Sequence, residues 1–143
     1  MRIALAHWES WPNLDDDGPA LIAALTAEGL AVEVHSWDAA VDWSDYDLVV
    51  IRTTWDYWDR HEAYLAWTRS VPRLANHAAV VAWNTDKVYL RRLEAAGIPG
   101  VPPPGIQPGE PSHAPAHSFV VQPTLPAGAR AAAALPTGAR AAT

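Results

Sequence analysis

Apolar and polar residues follow two kinds of pattern along the first 97 positions. Short apolar runs are typical of buried strands, and apolar residues three and four positions apart are typical of amphipathic helices. The run 48–51 is apolar without alternation, which favours a parallel strand at the centre of a sheet, covered on both faces. The predicted strands are 2–6, 31–35, 46–52 and 79–82, and the predicted helices are 19–29, 61–70 and 85–96.

This alternation of strand and helix predicts an α/β fold for residues 1–97, a Rossmann-like open parallel sheet with helices on both faces. Prolines crowd the positions that follow, so 98–117 is expected to be a linker without regular structure. One more strand is expected at 118–122. The rest of 118–143 is rich in Ala, Pro and Gly, and we expect this C-terminal segment to be poorly ordered and mobile because it offers little apolar surface.

Composition and charge exclude several functions. The net charge is −6 and there is no basic run, so nucleic acid is not expected as a partner. The chain has no cysteine, which excludes disulfides and thiolate metal sites. No apolar segment is long enough for a signal sequence or a membrane span, so we expect a cytoplasmic protein without a membrane partner.

Lys87 is the only lysine of the chain. Asn84 is a good helix N-cap, which places Lys87 in the first turn of the predicted helix 85–96. The helix dipole disfavours a cation there unless an anion such as a phosphate binds beside it. The alternative interpretation is a solvated surface lysine balanced by Asp86.

Ligands of open α/β sheets bind at the carboxyl ends of the strands, so the loop 52–60 is a candidate site. Arg52, Trp55 and Asp56 could hold an amino-acid-like molecule through a carboxylate pair, an apolar wall and an ammonium pair. The alternative is that the tryptophans pack beneath the loop while Arg52, Asp56 and Asp59 pair with one another.

The other long loop at this edge, 7–17, is acidic. It is expected to be solvated, with Asp17 capping the following helix. Contiguous carboxylates seldom converge on one cation, so no metal site is predicted. Histidine residues also lack metal-ligand spacing, and the chain contains no recognisable catalytic signature, so no catalytic residue is assigned.

Four segments taken together resemble the amino-terminal half of ATP-grasp ligases, in particular the glutathione-synthetase-like and RimK-like group. They occur in the order of that family and are 46–57, 83–87, 95–99 and 118–123. The resemblance implies a carboxylate–amine or thiol ligase that uses ATP and Mg²⁺ to form an acyl phosphate. Residues 1–97 would be the pre-ATP-grasp domain, and 118–143 would begin the ATP-grasp domain.

The resemblance also implies roles for individual residues. Lys87 and Gln122 would contact the nucleotide, and Arg52, Trp55 and Asp56 would contact a small carboxylate or amino-acid-like substrate. Gln122 departs from the family pattern, since a second phosphate-binding lysine is expected there and a neutral amide should weaken nucleotide binding.

The sequence ends at Thr143, before the adenine pocket and the Mg²⁺ ligands of the family. We therefore expect no ligase activity from this chain by itself, and we interpret it as a truncated or frame-altered product. Two alternatives remain open. One is an autonomous α/β module that binds a small molecule or docks to a protein without catalysis. The other is a remnant that self-associates through an exposed interdomain surface.

Overall fold

The computed structural model describes residues 1–99, 119–121, 123–125 and 133–135, which fall into two compact units, Met1–Trp83 and Asn84–Thr143. The described strands are β1 (Arg2–His7), β2 (Ala31–Ser36), β3 (Leu48–Thr53), β4 (Phe119–Val121) and β5 (Ala133–Leu135). The described helices are α1 (Gly18–Ala27), α2 (His61–Ser70), α3 (Ala78–Asn84) and α4 (Tyr89–Ala95), with a 3-10 turn at Trp43–Asp45.

The first unit contains a parallel sheet of three strands in the order β2-β1-β3. Ile3 of the middle strand lies opposite Val32 on one side and Leu48 on the other. In the three-stranded sheet β3 lies at the side and not in the middle, so the prediction that 46–52 forms the central strand is wrong. On its other side β3 makes an isolated parallel bridge, from Val49 to Leu74. β1 is also apolar on both faces. An apolar run could therefore not show whether β1 or β3 is the central strand.

One face of the sheet packs against α1. Ile3 and Leu5 of β1 are almost fully buried there, together with Leu14. The apolar residues of α1 that cover them are Leu21, Ile22 and Leu25. This contact is the expected one, since α1 carries its apolar residues three and four positions apart.

The opposite face carries the larger core. Ala4 and Ala6 of β1 are fully buried there, and their small side chains leave room for aromatic rings above the sheet. Buried residues of α2 cover this face, as the sequence predicted: Tyr64, Leu65 and Trp67. Helices therefore pack on both faces of an open parallel sheet, which confirms the α/β class.

Two aromatic pairs in this core meet edge to face. Trp37 contacts Tyr64 with ring centroids 5.4 Å apart and ring planes at 89°. Trp43 contacts Trp67 at 5.4 Å and 72°. Pairs of this geometry contribute about 0.5–1.5 kcal/mol each beyond the burial of their area. The cluster therefore fixes α2 on the sheet.

The segment 79–82 is helical, so the prediction of a fourth strand there is wrong. It lies within α3, and the Nδ1 atom of His77 accepts the backbone N–H of Ala79 at 3.2 Å where this helix begins. Alanine has the highest helix propensity, and three alanines in five positions outweigh the two valines that suggested a strand.

The helix that was predicted to start after Asn84 starts later in the structure. Asn84 is the last residue of α3, and α4 begins only at Tyr89, beyond Lys87. Lys87 lies two residues before α4; its backbone N–H donates to the carbonyl of Thr124 at 2.9 Å, and its carbonyl accepts the N–H of Leu90 at 3.0 Å. The prediction that Lys87 belongs to the first turn of the helix is therefore wrong, and the helix begins just after it. The predicted stop at Gly97 is confirmed, since its φ is +78° directly after α4.

In the second unit, β4 and β5 pair antiparallel, with Phe119 opposite Leu135. The strand predicted at 118–122 is confirmed over Phe119–Val121. We expected no regular structure after the strand at 118–122, and β5 corrects this expectation for Ala133–Leu135. The predicted linker lies outside the described residues except for 98–99.

Within the described ranges, no helix is long and apolar enough to cross a membrane.

Candidate functional site

Three loops meet at the carboxyl edge of the sheet, one after each of β1, β2 and β3. The backbone N–H of Trp8 donates to the carbonyl of Thr53, and that of Trp37 donates to the carbonyl of His7, both at 2.9 Å. Parallel strands end at the same edge, which is why loops distant in sequence are joined here. The two loops selected from the sequence, 7–17 and 52–60, therefore lie side by side.

Arg52 occupies an irregular position at the end of β3. Ala6 lies opposite Ile51 and His7 lies opposite Thr53, so Arg52 has no partner on β1. An extra residue of this kind redirects its side chain. The Nη2 atom of Arg52 lies 3.1 Å from Asp15 Oδ1 and 2.7 Å from Asp17 Oδ1, both on the loop after β1.

These two ion pairs set the charge at this end of the site. The hydrogen bond from the side chain of Asp17 holds the pKa of Asp15 below its ordinary value; burial opposes this shift, and Arg52 adds to it. Two acidic side chains therefore share one guanidinium at this end of the site. Asp17 stands at the N-cap position of α1, but its side chain makes no capping bond, so the predicted cap is wrong.

Leu14 anchors the acidic loop, which sequence reasoning missed. Its side chain is buried against β1 and its φ is +61°, which is uncommon for a residue other than glycine. A Cβ at Gly18 would lie 2.6 Å from Leu14 Cβ, so only glycine permits this approach. The signal that could have identified this anchor is a single leucine within an otherwise polar stretch of the loop.

Trp11 and Trp55 form an aromatic pair across the two loops. Their ring centroids are 5.5 Å apart, and they remain 44% and 42% exposed. The alternative interpretation supposed that Trp55 packs beneath its loop, and for Trp55 this is wrong. Large exposed indoles beside an ion-pair cluster give an apolar surface with polar groups at its border, which is the usual composition of a small-molecule site.

Asp56 is buried and joins the loop after β3 to the loop after β2. Its Oδ1 atom accepts Trp37 Nε1–H at 2.9 Å, and its Oδ2 atom accepts Arg60 Nη2–H at 2.5 Å. Arg60 also binds Asp38 at 2.6 Å and lies over the ring of Trp37. Within the described part of the chain, the side chain of Asp56 pairs neither with Arg52 nor with the side chain of Asp59.

Sequence reasoning also missed the partners of Asp56. Asp38 lies just after β2, so its position at the same edge of the sheet was the signal that could have found it. Burial would raise the pKa of Asp38, but the hydroxyl of Ser36 and then Arg60 together hold it below the ordinary value. The network therefore contains ionised groups at neutral pH.

The residues predicted to bind a cofactor lie in the second unit. Lys87 Nζ is 3.5 Å from the carbonyl oxygen of Pro123, close to the segment that follows β4. The charge of Lys87 suits a phosphate, whereas Gln122 lies outside the described residues. No group of three His, Asp or Glu side chains suited to a metal ion occurs in 1–99 or the three short described segments, so Mg²⁺ has no ligand set there.

The α/β unit at the start of the chain matches a known domain family. Residues 3–76 match the family model described as the N-terminal domain of D-cycloserine synthetase DcsG. The class is thus the amino-terminal domain of a synthetase, that is, of a ligase. The chain belongs to the DcsG N-terminal domain family.

Two relatives extend this comparison. The chain is 35% identical over 125 residues to the cycloserine biosynthesis protein DcsG of Streptomyces lavendulae, covering 78% of this chain and 42% of that protein. It is also similar to the crystal structure of D-cycloserine synthetase DcsG, with a TM-score of 0.77 and 29% identity, covering 95% of this chain and 50% of the other. The chain thus spans about half the length of these relatives.

Proposed function

We propose that this chain is the substrate-side domain of an ATP-grasp-type ligase. Membership of the DcsG N-terminal domain family supports the ligase assignment. The observation that carries the proposal is the arrangement at the carboxyl edge. Loops from all three strands of the sheet are joined there, and they present Trp11 and Trp55 beside the charged cluster of Arg52, Asp15 and Asp17.

The proposed ligand is a small amino-acid-like molecule related to D-cycloserine, the compound in the name of the similar synthetase. The two indoles would cover its apolar surface. The carboxylate of Asp17, whose side chain is 73% exposed, would accept a hydrogen bond from its ammonium group. Arg52 would contact the carboxylate of an open-chain ligand or the ring carbonyl oxygen of D-cycloserine, or it would hold the acidic loop in place.

Asp56 has a different part in this proposal. Both of its oxygen atoms already accept hydrogen bonds, and the residue is 6% exposed. A ligand could reach Asp56 only by displacing Trp37 or Arg60. We therefore assign Asp56 the role of fixing the loop that carries Trp55, so that it acts on the ligand through that loop.

ATP and Mg²⁺ are the proposed cofactors of the complete ligase reaction, in which a carboxylate is activated as an acyl phosphate. Lys87 would contribute one positive charge to the nucleotide phosphates, and Gln122, as a neutral amide, would contribute none. The described residues offer no ligand set for Mg²⁺. Catalysis by this chain by itself is accordingly not part of the proposal, because phosphoryl transfer depends on metal charge and positioning.

Isothermal titration with D-cycloserine tests the substrate site. We expect saturable binding to the wild-type chain and about five- to thirtyfold weaker binding to Trp55→Ala, since a lost aromatic contact costs on the order of 1–2 kcal/mol. Trp83→Ala is the matched control, because Trp83 has a similar exposure, 39% against 42%, and lies outside the site. Equal losses in both variants would reject the site.

A second titration tests the nucleotide assignment. ATP with Mg²⁺ should bind the wild-type chain weakly, and Lys87→Ala should lose that binding. Arg92→Ala, which removes an exposed cation from α4, should keep it. Binding that is insensitive to Lys87 would contradict the role proposed for this residue.

A binding module without catalysis is the second candidate function. Every side chain of the carboxyl-edge site belongs to the unit Met1–Trp83, which has its own core on each face of the sheet. Such a module needs no nucleotide. Binding of D-cycloserine together with complete indifference to ATP would favour this second function over the first.

A further inference from the structure

A cavity of the first unit lies between the end of α2 and α3, apart from the carboxyl-edge site. Its volume is about 420 Å³, within the range of about 300–1,000 Å³ that is typical of small-molecule sites. None of its lining residues belongs to the three loops at the carboxyl edge. Whatever binds here would therefore leave the proposed substrate site free.

Two nitrogen donors stand at this cavity. Arg69 is in the last turn of α2, and its guanidinium makes no hydrogen bond or ion pair within the described residues. His77 Nδ1 accepts the N–H of Ala79 at 3.2 Å. This bond assigns the ring proton of the neutral imidazole to Nε2, so His77 has a donor to offer a ligand.

The remainder of the lining is almost entirely apolar. It consists mainly of Val71, Pro72, Leu74 and alanines of α3. The hydroxyl of Thr68 also borders the cavity, but it already donates to the carbonyl of Leu65 at 2.9 Å. Among the described residues, no Asp or Glu lines the cavity, so no carboxylate opposes an anion there.

We propose that this cavity binds a small organic anion with an apolar body. Its carboxylate accepts hydrogen bonds from the Arg69 guanidinium and from His77 Nε2–H. Its apolar part lies against Val71, Pro72 and the side chains of α3. A hydrogen bond between charged partners is about twice as strong as a neutral one, so Arg69 contributes most of the preference for an anion.

Benzoate is a suitable probe, with benzamide as its neutral match in shape. Titration of the full ¹⁵N-labelled chain should give saturable shifts at the amides of residues 77–79, with affinity on the order of millimolar for a ligand of this size. Benzamide should bind about tenfold more weakly, since it cannot form the charged pair. Equal binding of the two compounds, or no shift at these amides, would overturn the proposal.

Two variants assign the anion contact. Arg69→Gln removes the charge, and His77→Asn removes the Nε2 donor while its amide oxygen can still accept the Ala79 N–H at the start of α3. Each should weaken benzoate binding by at least about fivefold. Arg92→Gln, on exposed α4, should leave the affinity unchanged. Wild-type affinity in both cavity variants would contradict the proposed contacts.

Discussion

Arg52 and Asp56 lie four residues apart in one loop region, yet their surroundings give them different roles. Arg52 is partly exposed and reaches across to Asp15 and Asp17, whereas Asp56 is buried under Trp37 and Arg60. The sequence placed both residues at the correct edge of the sheet. It could not predict their partners, because those partners come from other loops and depend on the register of three strands.

Replacing Asp56 tests its role in holding the loops. Asp56→Ala leaves Trp37 Nε1–H and Arg60 without their acceptor, and a buried group that loses a charged partner costs about 2–4 kcal/mol. We expect the free energy of unfolding to fall by about this amount in urea denaturation. Asp59→Ala, which removes an exposed carboxylate from the same loop, should change it by less than about 0.5 kcal/mol. Equal effects would contradict the network.

Tyr64 gives the core a dependence on alkaline pH. Burial raises the pKa of Tyr64 to about 12, whereas the hydrogen bond with Thr54 lowers it and does not cancel this effect. The phenol ionises more readily in the unfolded chain, so its contribution is complete below about pH 10 and is lost as the pH rises toward 12. The loss reaches about 2–3 kcal/mol, at about 1.4 kcal/mol for each pKa unit.

Comparison of the wild-type chain with Tyr64→Phe isolates this contribution. The variant should be less stable at neutral pH, because Thr54 loses a buried hydrogen-bond partner. Its unfolding free energy should fall less steeply above about pH 10. Parallel curves for the two chains would show that Tyr64 does not titrate as its burial requires.

At the scale of elements, α1 and α4 end in the same way. The amide of Gly29 donates to the Thr26 carbonyl, and that of Leu30 donates to the Leu25 carbonyl. Gly97 and Ile98 repeat both bonds after α4, and each glycine has a φ of +78°. This is the Schellman motif. Glycine signals of this kind are local, which is why both helix ends were predictable from the sequence.

Gly29→Ala should destabilise the chain by about 1 kcal/mol. No atom lies within 4 Å of the position that a Cβ would take, so the cost comes from the positive φ alone. Gly29→Asn should cost less, since asparagine tolerates this conformation better. Thermal unfolding of the two variants gives the order, and an alanine variant as stable as the asparagine variant would contradict this assignment.

The elements that were mispredicted depend on longer-range contacts. Lys87 lies just before α4, and its backbone N–H donates to the carbonyl of Thr124, which is distant in sequence. The order of the strands places β1 in the middle, although β3 has the longer apolar run. Local patterns cannot show which of two apolar strands takes the middle position of the three-stranded sheet. They predicted the class of fold and most of the elements, but not the order of the strands.

At the scale of the molecule, exposed apolar residues on α3 suggest an interaction surface. Val80 is 51% exposed and Trp83 is 39% exposed, and their spacing of three places them on one helix face. We expect self-association through this face at high concentration. Sedimentation velocity should show a smaller share of larger species for Val80→Asp than for Val88→Asp, a matched change outside α3. A monomer at every concentration would contradict this expectation.

The central proposal is that a small amino-acid-like ligand binds against Trp11 and Trp55 at the carboxyl edge of the sheet. The chain has eight tryptophans, so its indole N–H signals in a ¹H–¹⁵N spectrum form a small set that substitution can assign. Titration with D-cycloserine should shift the signals of Trp11 and Trp55 and leave that of Trp83 in place. A spectrum in which Trp11 and Trp55 do not move, or in which Trp83 moves equally, would contradict the site.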